Sequence, residues 1–212
     1  SGSLSLSTGT SSGNAGSISL NAGSGETAGQ VTISGGNSAQ SAGRVALEGG
    51  SSMSDLGASI SLSGGRGGIG GGRIDLTSGD ADMSATGDVA IGSSTSSSKD
   101  VSSGSILLNS GNTIADSGSV LIASGSSESG SAGVVSINAG LSGGDNIGSS
   151  LLMSGGDASI DGGEAILTSG SSINAKSGDV QVMSSSGAST GSVSVVSGVA
   201  SFGDSGPILV GS

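Results

Sequence analysis

The chain has 212 residues and a formal charge of −11; 45 residues are Gly, 32% are apolar, one is Phe, one is Pro, and Cys, His, Trp and Tyr are absent. The acidic balance argues against nucleic acid and anionic membrane surfaces as partners. The lack of Cys removes disulfides, and the near lack of aromatics removes the usual bulk of a globular core.

Read from Ser1, the chain repeats one phrase: Gly-x-φ-x-φ-x-small-Gly, where φ is Ile, Leu or Val. Its copies start at Gly2, Gly16, Gly29, Gly43, Ala58, Gly72, Gly87, Gly104, Gly118, Gly133, Gly148, Gly163, Gly178, Gly191 and Gly206. Most starts are 13 to 15 residues apart, and one interval is 17. The first φ column is aliphatic from Leu4 to Ile208, with Ser150 and Ala165 as exceptions; the second, from Leu6 to Val210, has none. A flexible Gly/Ser linker has no reason to keep two columns so strictly.

A φ-x-φ unit places both apolar side chains on one face of a strand, and the Gly and small residues that follow suit a tight corner. A unit of this length fits one coil of a solenoid. The expectation is therefore an all-β fold. It is a parallel β-solenoid (β-helix) of about 15 coils of roughly 14–15 residues, flattened to a two-sheet cross-section, on the order of 70 Å long at about 4.8 Å per coil. The whole of 1–212 is expected to form one array. Met53, Ile69, Met83, Ile114, Ile160, Ile173 and Phe202 are expected to fill the thin core opposite the φ ladder. The long interval, from Gly87 to Ser103, predicts a protruding loop at 93–103. Ser1 begins almost in register and "GPILVGS" stops halfway through a coil, which predicts an excerpt of a longer array or a protomer stacked end to end.

The recurrent "SGS[IV]xLxSG" with Ser-rich spacers resembles the long Ser/Gly repeat arrays of secreted and cell-surface proteins of diatom-type algae. The resemblance covers the whole chain and lies in composition and period. It implies an extracellular β-solenoid and brings no catalytic residue with it.

Chemistry is thin. Without His or Cys no nucleophile–base pair can be assembled, and the bases are Arg44, Arg66, Arg73, Lys99 and Lys176 alone, so no enzyme and no cofactor is expected. "GGRGGIGGG" (64–72) lacks the Lys-Ser/Thr of a phosphate loop. "GGDNIG" (143–148) and "GGDASIDGG" (155–163) are similar to calcium-binding Gly/Asp repeats. Their Asp positions shift between coils, so solvated corners are expected, the alternative being that Asp145, Asp157 and Asp161 meet at one corner. No N-x-[ST] sequon is present, while many Ser and Thr are open to O-glycans. No apolar run reaches the length of a membrane span.

The slot between the φ columns is expected to face outward. Up to Ala90 it holds Ser5, Ser19, Thr32, Ala46, Ser61, Asp75 and Ala90; beyond, it holds Leu107, Leu121, Ser136, Leu151, Ile166, Gln181, Ser194 and Leu209. Val134, Met153, Met183 and Val196 occupy neighbouring outward slots. A line of exposed aliphatics on one face marks an interaction surface. The expected function is structural: the shaft of an extracellular filament or surface fibre, its partners being copies of itself or other fibre subunits, docked through Leu107, Leu121, Val134, Leu151, Met153, Ile166, Met183, Val196 and Leu209. The alternative is an ice-binding or mineral- or polysaccharide-adhesive solenoid using the hydroxyls of Ser3, Ser5, Ser17, Ser19, Thr32, Ser59 and Ser61, a face interrupted by Arg44, Glu48, Arg73 and Asp75.

Overall fold

In the computed structural model, residues 2–98 and 100–211 are described; Ser1, Lys99 and Ser212 lie outside them, so the expected loop at 93–103 is only partly covered. Among the described residues there is neither a helix nor a β-strand. The expected all-β solenoid is therefore not formed, and the chain is mostly coil. The chain divides into two units, Ser1–Leu107 and Leu108–Ser212.

The hydrogen bonds show why the expectation fails. A parallel ladder would join positions one repeat apart. The bonds among the described residues span eight residues at most, as in Gly178 N–H to the Gly170 carbonyl (2.9 Å). Eight backbone–backbone bonds and sixteen involving side chains are formed among the described residues, against the roughly one per residue of a folded domain. No described residue is buried, and the accessible surface is 21002 Å². A compact protein of 19.3 kDa exposes about 8,500 Å², and its extended chain about 28,000 Å². The expected fillers of the core are at the tips of bends instead: Met53, Ile69, Ile114 and the rest are almost completely exposed.

The physical reason is the ratio of core to chain. Each repeat offers two aliphatics, worth about 1.5–3 kcal/mol apiece even if fully buried. Ordering a Gly- and Ser-rich repeat costs on the order of 1 kcal/mol or more for every residue. With no opposite wall to cover them, two side chains per repeat do not offset that cost.

What the repeat does build is a series of segments joined by pinched loops. Seven times, the N–H that opens a segment donates to the carbonyl of the residue closing the previous one, always Gly: Gly29 to Gly23, Gly43 to Gly36, Ala58 to Gly50, Gly72 to Gly65, Gly87 to Gly79, Gly163 to Gly156 and Gly178 to Gly170, at 2.8–3.0 Å. At this neck two backbones nearly touch. A Cβ on Gly35, Gly64 or Gly155 would collide with the carbonyl oxygen of Gly43, Gly72 or Gly163. Where the residue before the closing Gly does carry a Cβ, the opening residue has none: Gly29 faces Ala22, Gly87 faces Ser78, Gly178 faces Ser169. Ala58, an opening residue with a side chain, sits across from Gly49. The neck thus tolerates one methyl. Gly16 varies the theme, because Thr8 Oγ1 donates to its carbonyl at 3.1 Å.

The Ser-rich spacers have a local reason too. Their hydroxyls accept backbone N–H groups two or three residues on: Ser52 from Asp55 (3.0 Å), Ser127 from Gly130 (2.9 Å) and Ser172 from Ala175 (3.0 Å). Such side-chain turns hold a bend without any core. Gly144 and Gly203 take positive φ, 64° and 89°, which an L side chain rarely adopts, and they turn the chain at two spacers of the second unit.

Candidate functional site

In several segments the exposure alternates, although no strand forms among the described residues; in the last, Val210 is as open as Leu209. In the segment from Gly118, Val120 is 51% exposed, Leu121 88% and Ile122 64%. The φ positions are partly sheltered and the slot between them stands clear. Side-chain bonds confirm that alternate slots share a side. Asn21 donates to Ser19 Oγ and Asn138 to Ser136 Oγ, each at 2.6 Å, and Arg73 Nε meets Asp75 at 2.6 Å. Arg44 reaches Glu48, four residues on, at 3.6 Å. All these residues occupy outward slots; those of Asn21, Arg44, Arg73 and their partners make the outward edge of the first unit polar and partly self-satisfied, while Asn138 and Ser136 belong to the second.

In the second unit the outward edge is aliphatic. Leu121, Val134 and Leu209 are each nearly nine-tenths exposed, and Ile166, Met183 and Val196 about three-quarters. Leu107, the last residue of the first unit, is equally open. One segment is shifted from its expected register. Leu151 is 55% exposed, Leu152 87% and Met153 75%, so Leu151 and Met153 take the two φ positions and Leu152 the outward slot. The neck agrees: Gly155 approaches Gly163 as Gly35 approaches Gly43, which starts this segment at Ser149. The signal was in the sequence. Ser150 stands out in an aliphatic column, and the Gly155-Gly156 doublet matches Gly35-Gly36 and Gly64-Gly65 only in the shifted register.

Between the segments opening at Ser149 and Gly163 lies a shallow, open groove of ≈ 280 Å³, lined by Met153, Ser154, Glu164, Ala165, Ile166 and Leu167. It is apolar apart from Ser154 and the Glu164 carboxylate, which sits at a segment edge. No group of three or more His, Cys, Asp or Glu comes together among the described residues, so Asp145, Asp157 and Asp161 do not meet at a corner. No helix among the described residues is long and apolar enough to cross a membrane.

No protein family model matches the chain, and neither a curated protein nor a solved structure is similar to it. The reading of the site therefore rests on its own chemistry.

Charge divides as the apolar slots do. The first unit holds 8 acids and 4 bases, the second 8 acids and 1 base, giving −4 and −7, which add to the −11 of the whole chain. The second unit's one base, Lys176, is held by Asp179 at 2.8 Å. Six of its carboxylates, Asp116, Glu128, Asp145, Asp157, Asp161 and Asp204, lie in the spacers, away from the outward aliphatics.

Proposed function

We propose that this is a structural, self-assembling protein of an extracellular filament or surface fibre, whose copies bury one another's outward aliphatic slots. The observation that carries the reading is the high exposure of the outward aliphatics in a chain whose described residues form no core to take them: Leu121, Val134, Leu152, Ile166, Met183, Val196 and Leu209. Monomers seldom keep so much apolar surface in water. At about 100 Å² per side chain, these seven approach the roughly 800 Å² per partner of a standard interface. A second copy is the favoured occupant because the outward slots of this unit are uncharged apart from Glu164 and Asp179, so like surfaces meet without buried charge.

Extracellular placement follows from the resemblance of the "SGS[IV]xLxSG" phrases to algal surface arrays, and the exposed hydroxyls of the spacers suit O-glycans. Ice binding requires a rigid, flat array of hydroxyls, and no observation favours it in a chain whose described residues form no sheet.

Sedimentation velocity of the full chain tests the reading. Concentration-dependent association, lost when Leu121, Leu152, Ile166 and Leu209 are changed to Ser, supports it. A chain that stays monomeric at high concentration in any salt overturns it.

A further inference from the structure

We infer that assembly through this surface is gated by electrostatic repulsion between spacers, so that screening or neutralising their carboxylates switches association on. The inference rests on the function proposed above and adds its regulation.

Two features that need not have coincided carry it. The unit with the aliphatic outward slots is also the unit with the larger net charge, −7 against −4. Within it, the outward aliphatics occupy the segments, and Asp116, Glu128, Asp145, Asp157, Asp161 and Asp204 occupy the spacers, beside the exposed Ile114, Ile147, Ile160 and Phe202. All six side chains are exposed, and no base lies within ion-pair distance of them among the described residues. Segments and spacers alternate every few residues, so two copies that join their aliphatic slots bring their spacers near each other. The attraction is short-ranged, needing contact between side chains. The repulsion reaches as far as the Debye length, about 30 Å at 0.01 M salt and about 8 Å at 0.15 M. At low ionic strength repulsion meets the approaching copy first; near physiological salt it no longer extends beyond the contact zone. The first unit's spacers also carry carboxylates, Glu26, Asp55, Asp80, Asp82 and Asp100, but its outward slots up to Ala90 hold no large aliphatics for them to gate.

The test compares two full-length proteins by sedimentation velocity at about 10 mM and about 150 mM NaCl: the natural chain, and one carrying Asp116→Asn, Glu128→Gln, Asp145→Asn, Asp157→Asn, Asp161→Asn and Asp204→Asn. The natural chain is expected to associate about tenfold more tightly at the higher salt. The six-site variant is expected to associate at low salt as tightly as the natural chain does at high salt, with less than about a twofold further response. Salt-independent association of the natural chain, or a full salt response retained by the variant, overturns the gate and leaves assembly standing. No association of either protein at any salt overturns the gate and the proposed function together.

Discussion

The two units are written in one phrase and use it differently. Ser1–Leu107 forms five of the seven necks and carries polar outward slots, two of its Arg side chains paired with carboxylates beside them. Leu108–Ser212 forms two necks, carries one base, and puts Leu, Ile, Val and Met in the outward slots. The unit with more necks keeps its exposed aliphatics, such as Met53, Ile69 and Met83, at the bends rather than in the outward slots. The other forms fewer necks among the described residues and leaves its outward aliphatics open. Neck bonds and outward aliphatics are thus divided unevenly between the two units.

The largest expected effect comes from moving the aliphatic slots. Changing Leu121, Leu152, Ile166 and Leu209 to Ser is expected to remove association altogether, since four buried Leu or Ile side chains amount to about 6–12 kcal/mol of contact. The converse change sharpens the comparison: Ser5→Leu, Ser19→Leu and Ser61→Leu together should make the first unit a second assembly surface, seen as larger species in sedimentation. If Leu152→Ser weakens association less than Leu151→Ser, the register beginning at Ser149 is wrong.

A smaller effect is expected at the necks. Gly155→Ala sets a methyl against the Gly163 carbonyl and should release the Gly163 N–H, a bond worth about 0.5–1.5 kcal/mol. Amide exchange at Gly163 should then accelerate by roughly two- to tenfold, with the Gly178 neck unaffected. In the natural chain the bonded amides of Gly43, Gly72 and Gly163 should exchange more slowly than those of Gly118 and Gly133, for which no neck bond is formed among the described residues. Uniformly strong protection across the φ columns would mean a ladder is present after all. The smallest effect belongs to Arg73→Ala. Its pair with Asp75 is well exposed on both sides, and such pairs contribute little; association should not change within error.

Much of the local plan was legible in sequence. The period, the outward place of Leu107 and Leu121, and the corner role of Gly all follow from spacing, because alternation along an extended chain needs no partner strand. At Leu151–Met153 a start at Gly148 gives a register one residue out, because Gly148 matches the opening Gly of the phrase by residue type alone. The better marks were the odd Ser150 and the Gly-Gly doublet at the end of the segment. The complementarity of Ala58 and Gly49 was out of reach, since it concerns which residues meet across a loop.

By itself, then, the sequence determined a fifteen-fold phrase, a polar and an aliphatic half, and a chain too poor in bulky side chains for an ordinary core. Tertiary structure decided whether those phrases stack. Periodicity states which side chains share a face; it does not state whether anything covers that face. Here the described φ columns remain partly exposed, the expected fillers stand in water, and the backbone bonds close loops instead of ladders. Two aliphatics per Gly- and Ser-rich repeat do not outweigh the entropy of ordering it, so the apolar surface of the described residues stays open to water.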